Sequence, residues 1–168
     1  MNIALLIIDV QKAYIGHRKG EKEYEDTFEY INETAALFRE AGKPVIIVRD
    51  VEGGDGDDYK NVAELVVNGS DMEVLKTYSN SFWKTNLEEI LKEKKVDFVV
   101  LCGSAAEYCV LATYNGAIER DFGAAMLQNG ILAIHPNGLT DIFHNRALIS
   151  YEVISYMLGH LQKNNMSI

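Results

Sequence analysis

Short apolar runs alternate along this chain with longer stretches of mixed polarity. Residues 3–10, IALLIIDV, are apolar except for Asp9, too uniformly so for a strand with one wet face, and they predict a strand buried on both sides. Residues 23–41 place Tyr24, Phe28, Ile31, Ala35, Leu37 and Phe38 at mixed three-to-four spacing, which predicts a helix, and Gly42 supplies its stop. Pro44 opens a second buried strand, VIIV (45–48), which runs into Arg49-Asp50. The glycine-rich acidic stretch EGGDGDD (52–58) reads as a surface loop. A short helix is expected over 60–67 and a short strand near 72–76. Thr85-x-x-Glu88 resembles a capping box at the head of the helix LEEILKEKK. DFVVLCG (97–103) predicts another buried strand, followed by a helix from Ala106 to Phe122 with Gly123 as its stop, and AAMLQ (124–128) a further strand. For HNRALISYEVISYMLGHLQK (144–163), periodicity leaves two readings open: one long helix, or two helices around a short strand at Val153–Ser155.

Strands that alternate with helices imply an α/β fold: a three-layer α/β/α, Rossmann-like domain with a mostly parallel sheet of about six strands, helices on both faces and right-handed crossovers. Residues 1–168 read as one such domain, with no internal repeat or low-complexity tract. In open sheets of this kind ligands bind beyond the carboxyl ends of the strands. Asp9, Asp50 and the turn at 103–109 all fall at such ends, and that convergence is the first functional signal.

Composition narrows the field. The net charge of −9 leaves no basic stripe for nucleic acid, and it argues against a lipid surface as partner. The apolar run before Asp9 is too short for a membrane span or signal core and lacks a basic flank, so a cytoplasmic location is expected. Two cysteines, Cys102 and Cys109, are poorly spaced for a stabilising disulfide and read as free thiols. Taken alone, a cysteine after a small-residue turn is a packed core residue, and an aspartate ending a strand is a turn residue.

Three segments taken together say more. They are IIDVQKAY at the first strand, with its Asp-x-Gln-x-x-aromatic pattern; KTYSNSFWKTNLEEIL, with Lys76 six residues before Phe82; and LCGSAAEYCVLATYNG, a strand, a glycine turn, Cys109 and then Thr113. In these segments the chain resembles the isochorismatase-like cysteine hydrolases, a superfamily that includes nicotinamidases, carbamoylsarcosine amidohydrolases and ureidoacrylate-type amidohydrolases. The resemblance spans roughly residues 2–130. It implies a catalytic triad of Asp9, Lys76 and Cys109, and because the family's lysine precedes its aromatic-x-x-Thr segment it selects Lys76 over Lys84. It also implies a cis peptide at Ser104–Ala105 and an oxyanion hole from the amides of Ala105 and Cys109. The helix start, together with the Lys76 ammonium, is expected to favour the thiolate of Cys109, and Asp9 to act as general base. Gln11, Tyr14, Phe82, Trp83 and Tyr108 are the candidate substrate-binding residues, with Gln11 also a candidate to orient Asp9.

The chain also departs from these relatives. Nicotinamidases carry an Asp-x-His metal motif after the second strand; here Asp50 is followed by Val51-Glu52, and no histidine occurs between positions 18 and 134. An imidazole-bound zinc site is therefore not expected, and Asp50, Glu52, Asp55, Asp57 and Asp58 read as a solvated acidic loop rather than a hard-cation site. No cofactor is expected. Ala106 stands where relatives have threonine, Glu107 follows it, and Gln128-Asn129 replaces a common Asp-Ala. The resemblance implies a homodimer or homotetramer, and His135 and His144 read as surface or packing residues. The leading expectation is an amidohydrolase that cleaves a C–N bond of a small amide or ureido compound through a thioester. The alternatives are a redox-sensing protein and a catalytically silent binding protein on the same fold.

Overall fold

The computed structural model describes residues 2–159. Six strands form one wholly parallel sheet: β1 (Ile3–Ile8), β2 (Val45–Asp50), β3 (Met72–Lys76), β4 (Phe98–Ser104), β5 (Gly123–Leu132) and β6 (Leu148–Ile149), in the order β3-β2-β1-β4-β5-β6. Side chains leave each strand alternately. Ile3, Leu5 and Ile7 of β1 join a core with Tyr24, Phe28 and Phe38, while Ala4, Leu6 and Ile8 join a second core with Leu87, Leu91 and Ala117. Beyond the one-turn helix α1 (Lys12–Ile15), helices α2 (Lys22–Glu40) and α6 (Tyr151–Met157) cover the first face. Helices α3 (Leu87–Glu93), α4 (Leu111–Ile118) and α5 (Gly138–Asn145) cover the second, giving the expected three layers. No described helix is long and apolar enough to cross a membrane.

The chain winds outward from β1 through β2 to β3, then returns to β4 on the other side of β1. The strand order reverses between β1 and β4, and the crevice beyond their carboxyl ends is where such sheets bind ligands. Gly103 permits the close approach there. It pairs with Ile8 at φ +109, and a Cβ at this position would lie 2.1 Å from the Ile8 carbonyl oxygen.

Several local expectations change. The α2 helix closes as predicted, with Gly42 left-handed and the amide of Lys43 donating to the Phe38 carbonyl. No helix forms over 60–67, because this segment bonds instead to the end of β1: Lys12 N donates to Lys60 O, and Val62 N to Val10 O. Glu88 closes no capping box but pairs with Lys92 and Arg120, while the Thr85 hydroxyl accepts from Leu87 N. The helix expected from Ala106 starts as a π-helical turn over Ala106–Val110, continues as α4 only to Ile118, and reverses at the left-handed Asp121. Strand β5 runs past residue 128. It bulges at exposed Gln128-Asn129 and rejoins β4, so that Gly103 pairs with Ile131 and Ser104 with Leu132. In the C-terminal stretch the short strand is Leu148–Ile149, and Val153–Ser155 lies within α6, where Ser150 caps the helix. The part of that stretch beyond residue 159 lies outside the described residues.

Candidate active site

Asp9 is the first residue beyond β1, and its left-handed backbone (φ 49) is one that a short polar side chain tolerates. Its amide donates to Val48 O, which fixes the turn to β2. Lys76 ends β3, two strands away, directly beside Asp50 at the end of β2. Only a long side chain spans that distance, and the Lys76 ammonium reaches three groups at once. It lies 2.8 Å from Asp9 Oδ2, 3.1 Å from Asp50 Oδ2 and 3.5 Å from Cys109 Sγ. Cys109 comes from the π-helical turn after β4. The second oxygen of Asp9, Oδ1, is buried with no fixed partner among the described residues.

Electrostatics follow from this crowding. Burial alone would weaken the Lys76 ammonium, but Asp9, Cys109 and Asp50 outweigh it and raise its pKa above the ordinary lysine value. One ammonium shared between two carboxylates does not fully offset the burial of Asp9, whose pKa is raised. Burial, with Asp9 adding to it and Lys76 opposing, pushes the Cys109 thiol up to about 12. Burial thus works against the thiolate expected from the helix start and Lys76.

The peptide bond between Ser104 and Ala105 is cis. Ala105 and Cys109 both line a cavity of about 360 Å³ whose walls include Asp9, Asp50, Tyr14 and Tyr108. A larger depression of about 550 Å³ beside Asp26, Tyr30 and Tyr151 contains no nucleophile. Tyr14 packs edge-on against Tyr59, and burial together with Asp50 and Asp9 pushes its phenol up to about 12. The Tyr108 hydroxyl lies 3.3 Å from His135 Nε2.

Three candidate substrate-binding residues stand elsewhere. Gln11 is wholly buried. Its Nε2 donates to the carbonyls of Asp50 and Tyr59, and its Oε1 accepts from the amide of Asp50. It therefore orients Asp50 and has no free polar atom for a substrate or for Asp9. Phe82 is a core residue, stacked on Phe122 with the Arg120 guanidinium over its ring. Trp83 is half exposed and lies outside the cavity wall. Lys84 is also on the surface, beside the Tyr78 hydroxyl.

Other contributors had weaker signals. Ser81 is buried, its amide and hydroxyl both bonded to Thr113 Oγ1, and this pair ties the loop after Lys76 to the helix after Cys109. The Glu107 carboxylate accepts from the amides of Ile134 and His135 and so holds the segment that follows β5 against the site. Only its unusual place in the motif marks it in the sequence. In the acidic loop, Asp55 pairs with Arg49 and Lys60, and Asp57 with Lys12. Among the described residues one group has metal-like ligand spacing, Asp9, Asp50 and Cys109, with ligand atoms within 4.8 Å of one another, and the Lys76 ammonium contacts all three. Cys102 faces the opposite core, where its thiol donates to Leu6 O and burial raises its pKa.

A family model described as the isochorismatase domain matches residues 3–155. The chain belongs to the isochorismatase family. An isochorismatase family protein of Bacillus subtilis (strain 168), YrdC, is 30% identical over 153 residues, covering 87% of this chain and 82% of that protein. The crystal structure of N-carbamoylsarcosine amidase from Thermoplasma acidophilum superimposes with a TM-score of 0.77 at 25% identity, covering 89% of this chain and 96% of that one. Pyrazinamidase of Pyrococcus horikoshii, in complex with zinc, shares the fold at a TM-score of 0.76 and 22% identity, covering 90% of this chain and 100% of that one.

Proposed function

We propose that this isochorismatase family member is a cysteine hydrolase that cleaves a C–N bond of a small amide or ureido compound. The observation that carries this reading is the single buried ammonium bonded to both the Asp9 carboxylate and the Cys109 sulfur, at a cavity that both residues line. The amidase among its structural relatives supports the reaction class.

In this reaction Asp9 takes the thiol proton as the Cys109 sulfur attacks the carbonyl carbon. The Lys76 ammonium stabilises the negative charge shared between sulfur and carboxylate. The amides of Ala105 and Cys109 receive the oxyanion, a role worth roughly 2.7–4 kcal/mol per donor in comparable sites. Asp9 then returns its proton to the leaving nitrogen, the C–N bond breaks, and an acyl thioester remains on Cys109. Water attacks this thioester while Asp9 takes its proton, and the sulfur leaves and is reprotonated. The raised pKa of Asp9 suits a group that must both accept and donate a proton.

The test joins ammonia release from a panel of small amides with the pH profile of Cys109 alkylation. Wild type should release ammonia and Cys109→Ala should not. Asp9 raises the thiol pKa and Lys76 lowers it. Asp9→Asn should therefore shift the alkylation profile to lower pH and Lys76→Met to higher pH. Shifts of the same sign, or ammonia release that survives Cys109→Ala, would sink the assignment.

A further inference from the structure

The cavity at Cys109 has a one-sided charge. Asp9, Asp50 and Glu52 line it, and among the described residues no lysine, arginine or histidine does. The nearest cation, Lys76, is itself wholly buried, and its three N–H groups face Asp9, Asp50 and Cys109, so none is left for a ligand. Even with a proton on Asp9, the carboxylates of Asp50 and Glu52 outnumber the Lys76 charge. Among neighbouring basic residues, Arg18 is engaged with Glu21, Glu23 and the Ala133 carbonyl, and Lys12 with Asp57, while His17 and His135 line the adjoining depression, His135 Nε2 lying 3.3 Å from the Tyr108 hydroxyl. Glu52 forms no ion pair among the described residues, and its amide, donating to Asp50 Oδ1, holds it beside the second carboxylate. Asp9, only 3% exposed, contributes Oδ1 with no fixed partner. Tyr14 and Tyr108, 40% and 49% exposed, add two aromatic side chains to the same wall.

A substrate carboxylate would meet acceptors here and no free donor cation. An ammonium or guanidinium would meet carboxylates and phenol faces, both of which attract cations. We infer that the site takes a small amide or ureide carrying a positive charge, with that charge held by Asp50 and Glu52 between Tyr14 and Tyr108 while the carbonyl lies at Cys109. This inference rests on the hydrolase reading above and names its substrate class.

Three amides of matched length test it: gamma-aminobutyramide (cationic), valeramide (neutral) and glutaramate (anionic). Their binding to Cys109→Ala is measured by calorimetry, and their kcat/KM on the intact enzyme by ammonia release. The cationic amide should be favoured over the neutral one by about tenfold, the scale of one charge pair and an aromatic face, with glutaramate weakest. Glu52→Gln should narrow the cationic-to-neutral ratio to about threefold, and raising salt should narrow it in wild type. Equal use of the three amides, a preference for glutaramate, or a ratio untouched by Glu52→Gln would overturn the inference. So would the absence of any gamma-aminobutyramide binding at ~10 mM. Charge-selective binding without hydrolysis would remove the hydrolase reading and leave the selectivity standing. Hydrolysis without charge preference would do the reverse.

Discussion

Gln11 offers a direct test of how the site is positioned, because its side chain is consumed by backbone. Its amide satisfies both polar groups of the Asp50 peptide backbone, the carbonyl and N–H each at 2.8 Å, and it donates to Tyr59 O at 2.7 Å. Replacement by leucine keeps the volume and adds apolar surface but offers no hydrogen bond. Tyr59 O keeps a donor in Arg49 Nη1, so the main loss falls on the two Asp50 groups. An unsatisfied buried group costs about 1–3 kcal/mol, which puts the variant roughly 2–5 kcal/mol below wild type. At about 2–4 °C per kcal/mol for a domain of this size, the melting temperature should fall by at least about 4 °C. Alanine is the informative comparison. The smaller side chain leaves room for water to reach Asp50, whereas leucine fills that room. Leucine should therefore destabilise at least as much as alanine, the reverse of the order expected for a packing residue. The measurement is urea unfolding of both variants at neutral pH. A leucine variant within about 1 kcal/mol of wild type, or clearly more stable than the alanine variant, refutes the reasoning.

Other expectations concern neighbouring parts of the site. Gly103→Ala forces a methyl group against the Ile8 backbone at a φ of +109 and should destabilise by about 3 kcal/mol or more, read from the unfolding midpoint; wild-type stability would refute the close approach. Glu107 is pulled below the ordinary carboxylate range because the amides of His135 and Ile134 outweigh its burial. Its depressed folded-state pKa means that its stabilisation is present above the unfolded value and fades as pH falls through the folded one. Glu107→Ala should therefore speed hydrogen exchange in the residue 134–139 segment roughly tenfold at neutral pH, and much less in acid. Asp9 has the opposite sign: its folded-state pKa is raised above 3.8, so its contribution is full below that value and is lost as pH rises through the folded one. Asparagine does not titrate, so the stability of Asp9→Asn relative to wild type should climb from about pH 4 to pH 7 in paired denaturant melts, and a falling difference would reverse the sign.

Much of this architecture was legible because apolar density is a strong signal for strands buried on both faces. The runs at residues 3–10, 45–48 and 97–103 needed no tertiary information, and neither did the glycine that ends α2. The segment at 60–67 departs from its local helical pattern because its backbone partners come from Val10 and Lys12, some fifty residues earlier, which no local pattern reveals. The C-terminal strand lies away from Val153–Ser155 for a similar reason. Leu148–Ile149 is a strand only because Met126 and Leu127 offer it an edge, while Val153–Ser155 is drawn into a helix that Ser150 caps. The bulge at Gln128-Asn129 follows from the β4–β5 register, and register is a property of pairs of strands.

Within the site, Asp9, Lys76 and Cys109 were legible as motifs, but their charge balance was not. Reading the sequence one motif at a time suggests a lysine acting on a cysteine, and hence a thiolate. The fold adds burial, which raises the pKa of both Asp9 and the Cys109 thiol, and it adds Asp50 to the same ammonium, so that Lys76 is shared between two carboxylates. Asp50 holds that position because Gln11 clamps its backbone while β3 delivers Lys76 beside it. Gln11, a candidate substrate or Asp9 contact by its sequence, is therefore linked to Lys76 through Asp50. The same second carboxylate, with Glu52 beside it, lines a cavity that among the described residues has no cation in its wall. The ends of β2 and β3, lying side by side, thus place beside Lys76 the Asp50 carboxylate that also lines the cavity.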